Sequence, residues 1–173
     1  MSNFRLETER LVICEFTLDM VHDVHVNSLD DDNRRFVPDE VFENEEEAKE
    51  TVEFLMSQYG TPDGPLVYPV LTKDAGVNLG YVQFVPLDEN TWEIGYHIAK
   101  KYTGNGYATE AVKAFLPIIT EAKGVVEVHG ICLEENKASI CVLEKCGFEP
   151  VFRGMGIYQE EEREIFKGIW KTK

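Results

Sequence analysis

Residues 91–115, TWEIGYHIAKKYTGNGYATEAVKAF, change their periodicity midway. Glu93, Gly95 and His97 fall on one face of an alternating run, which predicts a strand over 91–98. Ala108, Ala111, Val112, Phe115 and Ile119 recur at helical spacing, which predicts a helix over 106–123. Pro117 lies inside that helix and is expected to bend it or weaken its middle. Between the two elements stand Gly104 and Gly106. A helix start offers free N–H groups and the positive end of its dipole, and glycines let an anion approach the backbone. The turn therefore suits a phosphate, with amides from Gly104 through Thr109 able to wrap a pyrophosphate. A Walker A loop is excluded, because Tyr107-Ala108 stand where Lys-Ser/Thr would follow. The dinucleotide fingerprint fails too, because Thr109 occupies the place of its third glycine. Taken alone, the turn reads equally well as a purely structural one.

The flanking elements follow from the same rules. Thr8–Phe16 predicts a strand. Thr17 predicts the cap of a helix that runs to about Leu29, followed by a polar loop, LDDDNRRFVPDE. Asn44 with Glu47 forms a capping-box pattern at the head of a second helix. Leu66–Thr72, Leu79–Leu87 and Thr91–Ile98 read as strands joined by short turns. Val125–Leu133 reads as a strand, and Asn136 as the cap of a short helix that Gly147 stops. Strands near Phe148–Arg153 and Arg163–Trp170 complete the order β-α-α-β-β-β-α-β-α-β-β. That order predicts an α/β (α+β) fold in one domain over residues 1–173.

The totals bound the function. The length of 173 residues suits one domain with a sizeable core. The net charge of −15 argues against nucleic acid, whose binding needs a basic footprint. No apolar run approaches the length a helix needs to cross a bilayer, so no membrane association is expected. The start, Met1-Ser2-Asn3-Phe4-Arg5, lacks the apolar core of a signal peptide, so a cytoplasmic location is expected. Cys14, Cys132, Cys141 and Cys146 sit in apolar segments without metal-ligand spacing. They read as reduced, buried thiols with no metal.

Several segments in order resemble one family. Lys101-Tyr102-Thr103-Gly104-Asn105-Gly106 resembles the pyrophosphate loop Q/R-x-x-G-x-G/A of the GNAT acyltransferases. Glu7-Thr8-Glu9-Arg10-Leu11 is similar to the opening strand of the RimJ/RimL-like branch, which is named for ribosomal-protein N-terminal acetylation. Trp92–Ile98 resembles the family's central strand. Asn136-Lys137-Ala138-Ser139 with Glu144-Lys145-Cys146-Gly147-Phe148 resembles its N-x-x-S…E-K-x-G-F segment. The resemblance implies one GNAT-type domain with a mixed, mostly antiparallel sheet. Six to seven strands, about four helices and splayed central strands are expected.

It also implies direct transfer of acetyl from acetyl-CoA, as co-substrate and without a metal, to a primary amine. The acceptor would be a protein N-terminus or a small amine. A polyamine- or antibiotic-modifying enzyme and a non-catalytic acyl-CoA-binding module remain the alternatives. The chain would act as a monomer or homodimer.

For the cofactor, the resemblance implies Lys101, Gly104, Asn105, Gly106, Tyr107, Ala108 and Thr109 at the pyrophosphate. Backbone along Tyr96, His97, Ile98 and Ala99 would meet the pantetheine arm. Asn136 and Ser139 would lie near the thioester, and Lys145 towards the 3′-phosphate or adenine. An ammonium must lose a proton before it can attack. Glu93 is the candidate base, acting through water, and it reads equally as a solvated strand residue. His97 is the nearby titratable alternative and reads first as a packed strand histidine; His22, His25 and His129 have no motif support and read as structural. Many relatives protonate the leaving thiolate with a Tyr where this chain has Leu143. Ser139, beside a helix start, is the substitute. It reads equally as a first-turn serine that supports the helix. Asn136 serves as cap in either case.

Overall fold

A computed structural model describes residues 3–173; Met1 and Ser2, part of the polar start read above, lie outside the described residues. Eight strands form one sheet in the order β1-β2-β3-β4-β5-β6-β8-β7. They are β1 (Arg5–Glu7), β2 (Leu11–Cys14), β3 (Leu66–Thr72), β4 (Asn78–Pro86), β5 (Trp92–Ile98), β6 (Glu127–Leu133), β7 (Glu149–Tyr158) and β8 (Glu161–Lys171). Every neighbouring pair is antiparallel except β5 with β6, which is parallel. Five α-helices accompany the sheet: α1 (Val21–Ser28), α2 (Asp31–Phe36), α3 (Glu45–Gln58), α4 (Tyr107–Lys123) and α5 (Lys137–Lys145).

Alternation along β3 sorts the helices. The Tyr68 ring meets the Phe115 ring of α4 at 5.7 Å between centroids. Its neighbour Val67 lines a cavity with Val24 of α1 and Leu55 of α3. Successive strand residues point to opposite faces, so α4 covers one face and α1 with α3 the other. The apolar stripe of α4, with Ala111, Val112 and Phe115 at 0% exposure, supplies the centre of the core. Pro117 does not end α4, which runs unbroken to Lys123.

Local signals explain most boundaries. The Asn44 side chain accepts a hydrogen bond from Glu47 N at 2.9 Å, and the Glu47 carboxylate accepts one from Glu43 N at 2.9 Å. The capping box thus reaches one residue further back than its usual form. Asn136 accepts from Ser139 N at 3.2 Å. Each such cap is worth about 1 kcal/mol.

Several segments differ from the sequence reading. The strand expected over Thr8–Phe16 is present but shorter, as β2 over Leu11–Cys14, and it pairs in a hairpin with β1, which lies before the expected segment. The hairpin turn is pinned by Glu110 of α4, whose carboxylate accepts from Thr8 Oγ1 at 2.6 Å, Arg10 N at 3.2 Å and Arg10 Nε at 2.8 Å. The polar loop LDDDNRRFVPDE holds helix α2 and a 3₁₀ turn, Pro38–Glu40. Asp30 caps α2 by accepting from Asn33 N at 2.7 Å. Thr17 precedes a 3₁₀ turn, and its side chain caps nothing on the backbone; its hydroxyl bonds Asp19 instead. The last two strands also run longer than expected and meet in a tight turn at Gln159-Glu160, both with positive φ. Of the cysteines, Cys132 and Cys146 are buried, Cys14 is half-buried and Cys141 is exposed on α5. No two of them are joined.

Candidate active site

β5 pairs with β4 over its whole length, from Gly80↔Ile98 to Pro86↔Trp92. On its other side, only Trp92, Ile94 and the intervening Glu93 pair with β6. Beyond Ile94 the two strands part, leaving Gly95–Ile98 with one unpaired edge. Buried backbone groups need partners, so this edge is a ready place for a linear molecule with amides. The expected splay is present.

A groove of about 370 Å³ runs along this edge. Its walls are Tyr96, His97 and Ile98 of β5, Gly104 and Gly106–Thr109 at the head of α4, and Asn136, Ser139 and Lys145 of α5. Gly106 is the N-cap of α4 at φ 79°, Gly104 has φ 83°, and no side chain caps the first turn. The left-handed φ values turn the chain sharply, and the first amides of α4 are left without side-chain partners. This arrangement fits a pyrophosphate. Three of the expected contacts stand elsewhere. Asn105 does not line the groove; its side-chain amide holds the turn by donating to Tyr102 O at 3.0 Å. The Lys101 ammonium lies 5.0 Å over the Tyr102 ring. The Ala99 N–H donates to Leu79 O at 2.8 Å, so it is committed to β4.

A second chamber, also about 370 Å³, adjoins the groove; Tyr96, Asn136 and Ser139 line both. Its other walls include Glu93, Glu40, Gln83 and Tyr158. The Tyr158 hydroxyl donates to Phe36 O at 2.9 Å, which fastens the β7–β8 hairpin to the end of α2. Burial pushes the Glu93 carboxyl up to about 7. Burial does the same to Glu40, with Asp39 and Glu93 adding repulsion, also to about 7. Such groups change protonation near neutrality, as an acid–base site requires.

Both carboxyls are raised above their ordinary 4.5, so the folded chain holds these protons more tightly than the unfolded one. The stability they contribute is complete below about pH 4.5 and is lost as pH rises through about 7. Glu40→Gln cannot ionise. Thermal unfolding should therefore occur at a higher temperature in this variant than in the wild type near pH 8, with the difference vanishing below about pH 4. A lower midpoint near pH 8 would count against a buried, disfavoured carboxylate.

Tyr96 brings a side chain that the sequence reading used only for its backbone. Its hydroxyl donates to Ser139 O at 2.8 Å and lies 2.9 Å from Ser139 Oγ. Burial raises its pKa, so the phenol stays protonated. With the phenol proton on the carbonyl, the Ser139 hydroxyl can donate to Tyr96 Oη or into the groove. Leu143, where many relatives have Tyr, is 1% exposed. It packs over Gly130, where an added Cβ would sit 2.5 Å from Leu143 Cδ2. The His97 pKa is lowered by burial, against the pull of Asp30 at 3.4 Å. That keeps the ring neutral and packed near neutral pH. The acidic run Asp30–Asp32 is used within the fold. Asp30 accepts from Lys100 N at 2.9 Å, and Asp32 lies 3.7 Å from the Lys100 ammonium.

The acetyltransferase (GNAT) domain model matches residues 10–149. The chain belongs to the GNAT acetyltransferase family. Over 143 residues it is 30% identical to YnaD of Bacillus subtilis (strain 168), which is named as an N-acetyltransferase; the match covers 82% of this chain and 81% of that one. A GNAT-family acetyltransferase of Bacillus anthracis superposes with a TM-score of 0.84 at 24% identity, covering 97% of this chain and 98% of the other. RimL, a ribosomal L7/L12 α-N-protein acetyltransferase solved with coenzyme A, gives 0.83 at 14% identity over 97% and 98%. The GNAT domain here thus carries the mixed, mostly antiparallel sheet, with eight strands and five helices. Among the described residues, no group of three or more His, Cys, Asp or Glu is placed to hold a metal, and no helix is long and apolar enough to cross a membrane.

Glu40 and the Tyr96 hydroxyl had no sequence signal of their own. Alternation along β5 does place Tyr96 opposite Glu93, but its partner Ser139 lies 43 residues away.

Proposed function

We propose that this acetyltransferase moves the acetyl group of acetyl-CoA directly to a primary amine, with Glu93 as base and Ser139 at the leaving sulfur. The observation that carries this is the meeting of an anion-binding groove and a carboxylate-lined chamber at Tyr96, Asn136 and Ser139. The groove takes the pyrophosphate at the head of α4 and the pantetheine amides along the free edge of β5. Lys145, exposed at the groove's far wall, faces the 3′-phosphate or adenine. The thioester then lies where the two spaces join.

Glu93 accepts the ammonium proton, directly or through one water, and the free amine attacks the thioester carbonyl. The C–S bond breaks as the C–N bond forms. The thiolate takes a hydrogen bond, then a proton, from the Ser139–Tyr96 hydroxyl pair, and the second proton that the nitrogen sheds on becoming an amide restores that pair through water. Glu40, which lines the chamber with Glu93, favours a cationic group there. Leu143 removes the proton donor common in the family, and the two hydroxyls stand in its stead. A protein N-terminus is one acceptor class, supported by the likeness in fold to RimL; a small amine is the other. We propose a cytoplasmic protein of one domain that binds neither nucleic acid nor membrane.

Release of free CoA thiol from acetyl-CoA, measured across peptides, polyamines and aminoglycosides, tests the reading. Tight acetyl-CoA binding with no thiol release from any amine would overturn it. Ser139→Ala should lower kcat by about tenfold or more while KM for acetyl-CoA changes little, the pattern of an interaction made in the transition state. Equal loss in affinity and rate would assign the serine to the helix start instead.

A further inference from the structure

Behind the acceptor chamber, between α1, α3 and the sheet, lies an inner cavity of about 150 Å³. Glu40, Tyr81 and Gln83 line both spaces. Gln83 forms part of the wall between them. It lies across Gly95, where an added Cβ would stand 2.5 Å from the Gln83 amide nitrogen. It also bonds the Glu40 carboxylate. The cavity is otherwise lined largely by carbon, from Phe16, Val24, Phe42 and Leu55 among others. Its volume matches that of an engineered apolar cavity, about 150 Å³, which holds benzene.

Two amides in this lining are each left with one spare atom. Asn33, 1% exposed, donates its NH₂ to Ser28 O at 2.8 Å and Glu40 O at 3.1 Å, and its Oδ1 has no partner. Asn78, 5% exposed, accepts through Oδ1 from Gly80 N at 3.1 Å, and its Nδ2 has no partner. Neither amide can be flipped. Reversal would set the Asn33 oxygen against two carbonyls and the Asn78 NH₂ against an N–H. A buried polar atom left unpaired costs about 1–3 kcal/mol. One spare acceptor and one spare donor are what a hydroxyl or carboxamide satisfies.

We propose that this cavity receives the side group of the acceptor, and that the preferred acceptors are primary amines carrying a benzene-sized apolar group tipped by a hydroxyl or carboxamide. The inference rests on the amine-acceptor reading above and narrows it. The amine stays in the outer chamber beside Glu93, and the side group passes Gln83. Glu40 at the boundary selects against acceptors with a carboxylate at that point, since like charges repel.

The test compares tyramine, phenethylamine and ethylamine as acceptors, by thiol release, in the wild type and in two variants that fill the cavity from different walls. Thr51→Phe fills it from α3 and Val24→Phe from α1; if one does not fold, the other carries the comparison. The wild type should use tyramine better than phenethylamine, and both better than ethylamine by about tenfold or more in kcat/KM. The variants should lose that advantage, about tenfold, while their ethylamine rates hold. Filled variants that use tyramine as well as the wild type would overturn the proposal, as would a wild type indifferent among the three amines. If no amine is acetylated, the activity reading fails separately, and calorimetry of tyramine binding decides the cavity. Binding to the wild type that is lost in a folded variant supports the site. Binding absent from the wild type, or equal in both, overturns it.

Discussion

Glu93→Gln is expected to lower kcat by about 10²–10⁴, the usual contribution of a positioned base, while acetyl-CoA binding stays unchanged. The carboxyl titrates near 7 because burial disfavours its charge. A base works only when deprotonated, so the wild-type rate should fall as pH drops below about 7, with a slope of one proton. In Glu93→Gln that limb should move up to the acceptor amine's own pKa, because only amine already deprotonated can then react. The amide is close in shape to the carboxyl, so β5 and its pairing with Val85 and His129 should survive. Full activity in the variant, or an unchanged acid limb, would move the base to another residue. Glu40 is then the group to examine, since it shares the chamber and the same range.

Gly106→Val should weaken acetyl-CoA binding by about two orders of magnitude, roughly 2.7 kcal/mol. Two effects combine. A β-branched side chain would stand over the amides that open α4 and keep an anion from reaching them. The residue also sits at φ 79°, where a side chain other than glycine's is strained by about 1–3 kcal/mol. Gly76→Val separates the two effects. Gly76 has φ 66° and nothing near its Cβ position, and it lies in the β3–β4 turn, outside the groove lining. It should lose comparable stability and bind acetyl-CoA as the wild type does. Calorimetry beside thermal unfolding of both variants makes the comparison. Equal affinity in Gly106→Val and wild type would remove the head of α4 from the phosphate site.

The elements legible in the sequence are those whose cause is local. Asn44 and Asn136 cap through atoms three residues away, and β3–β5 alternate across short turns. The elements that were not legible have remote causes. The turn between β1 and β2 is fixed by Glu110, about a hundred residues later in the chain. Helix α2 has almost no apolar periodicity. It is held by bonds its polar residues make elsewhere, from Asp30 to Lys100 N and from Asn33 to Ser28 O. The site divides in the same way. Glu93, Ser139 and the glycine turn were named from motifs. Glu40 reaches the chamber only because α2 folds and carries the 3₁₀ turn behind it. Tyr96 meets Ser139 only because β5 and β6 part.

That parting also bears on how the fold holds together. Five strands stand on one side of the β5–β6 seam and three on the other, and the seam is only three residue pairs long. Cohesion across it otherwise depends on helix packing and on a few side-chain bonds, such as Tyr158 to Phe36 O and Tyr96 to Ser139 O. The seam is thus a natural place for sub-global opening, with amides that exchange with solvent before those of the β3–β4 ladder. A molecule lying along Gly95–Ile98 would lengthen the seam from outside. Cofactor held at a hundred times its dissociation constant stabilises a protein by about 2.7 kcal/mol. In this fold that increment falls on the weakest join, so cofactor supply would also set how often the two halves of the sheet come apart.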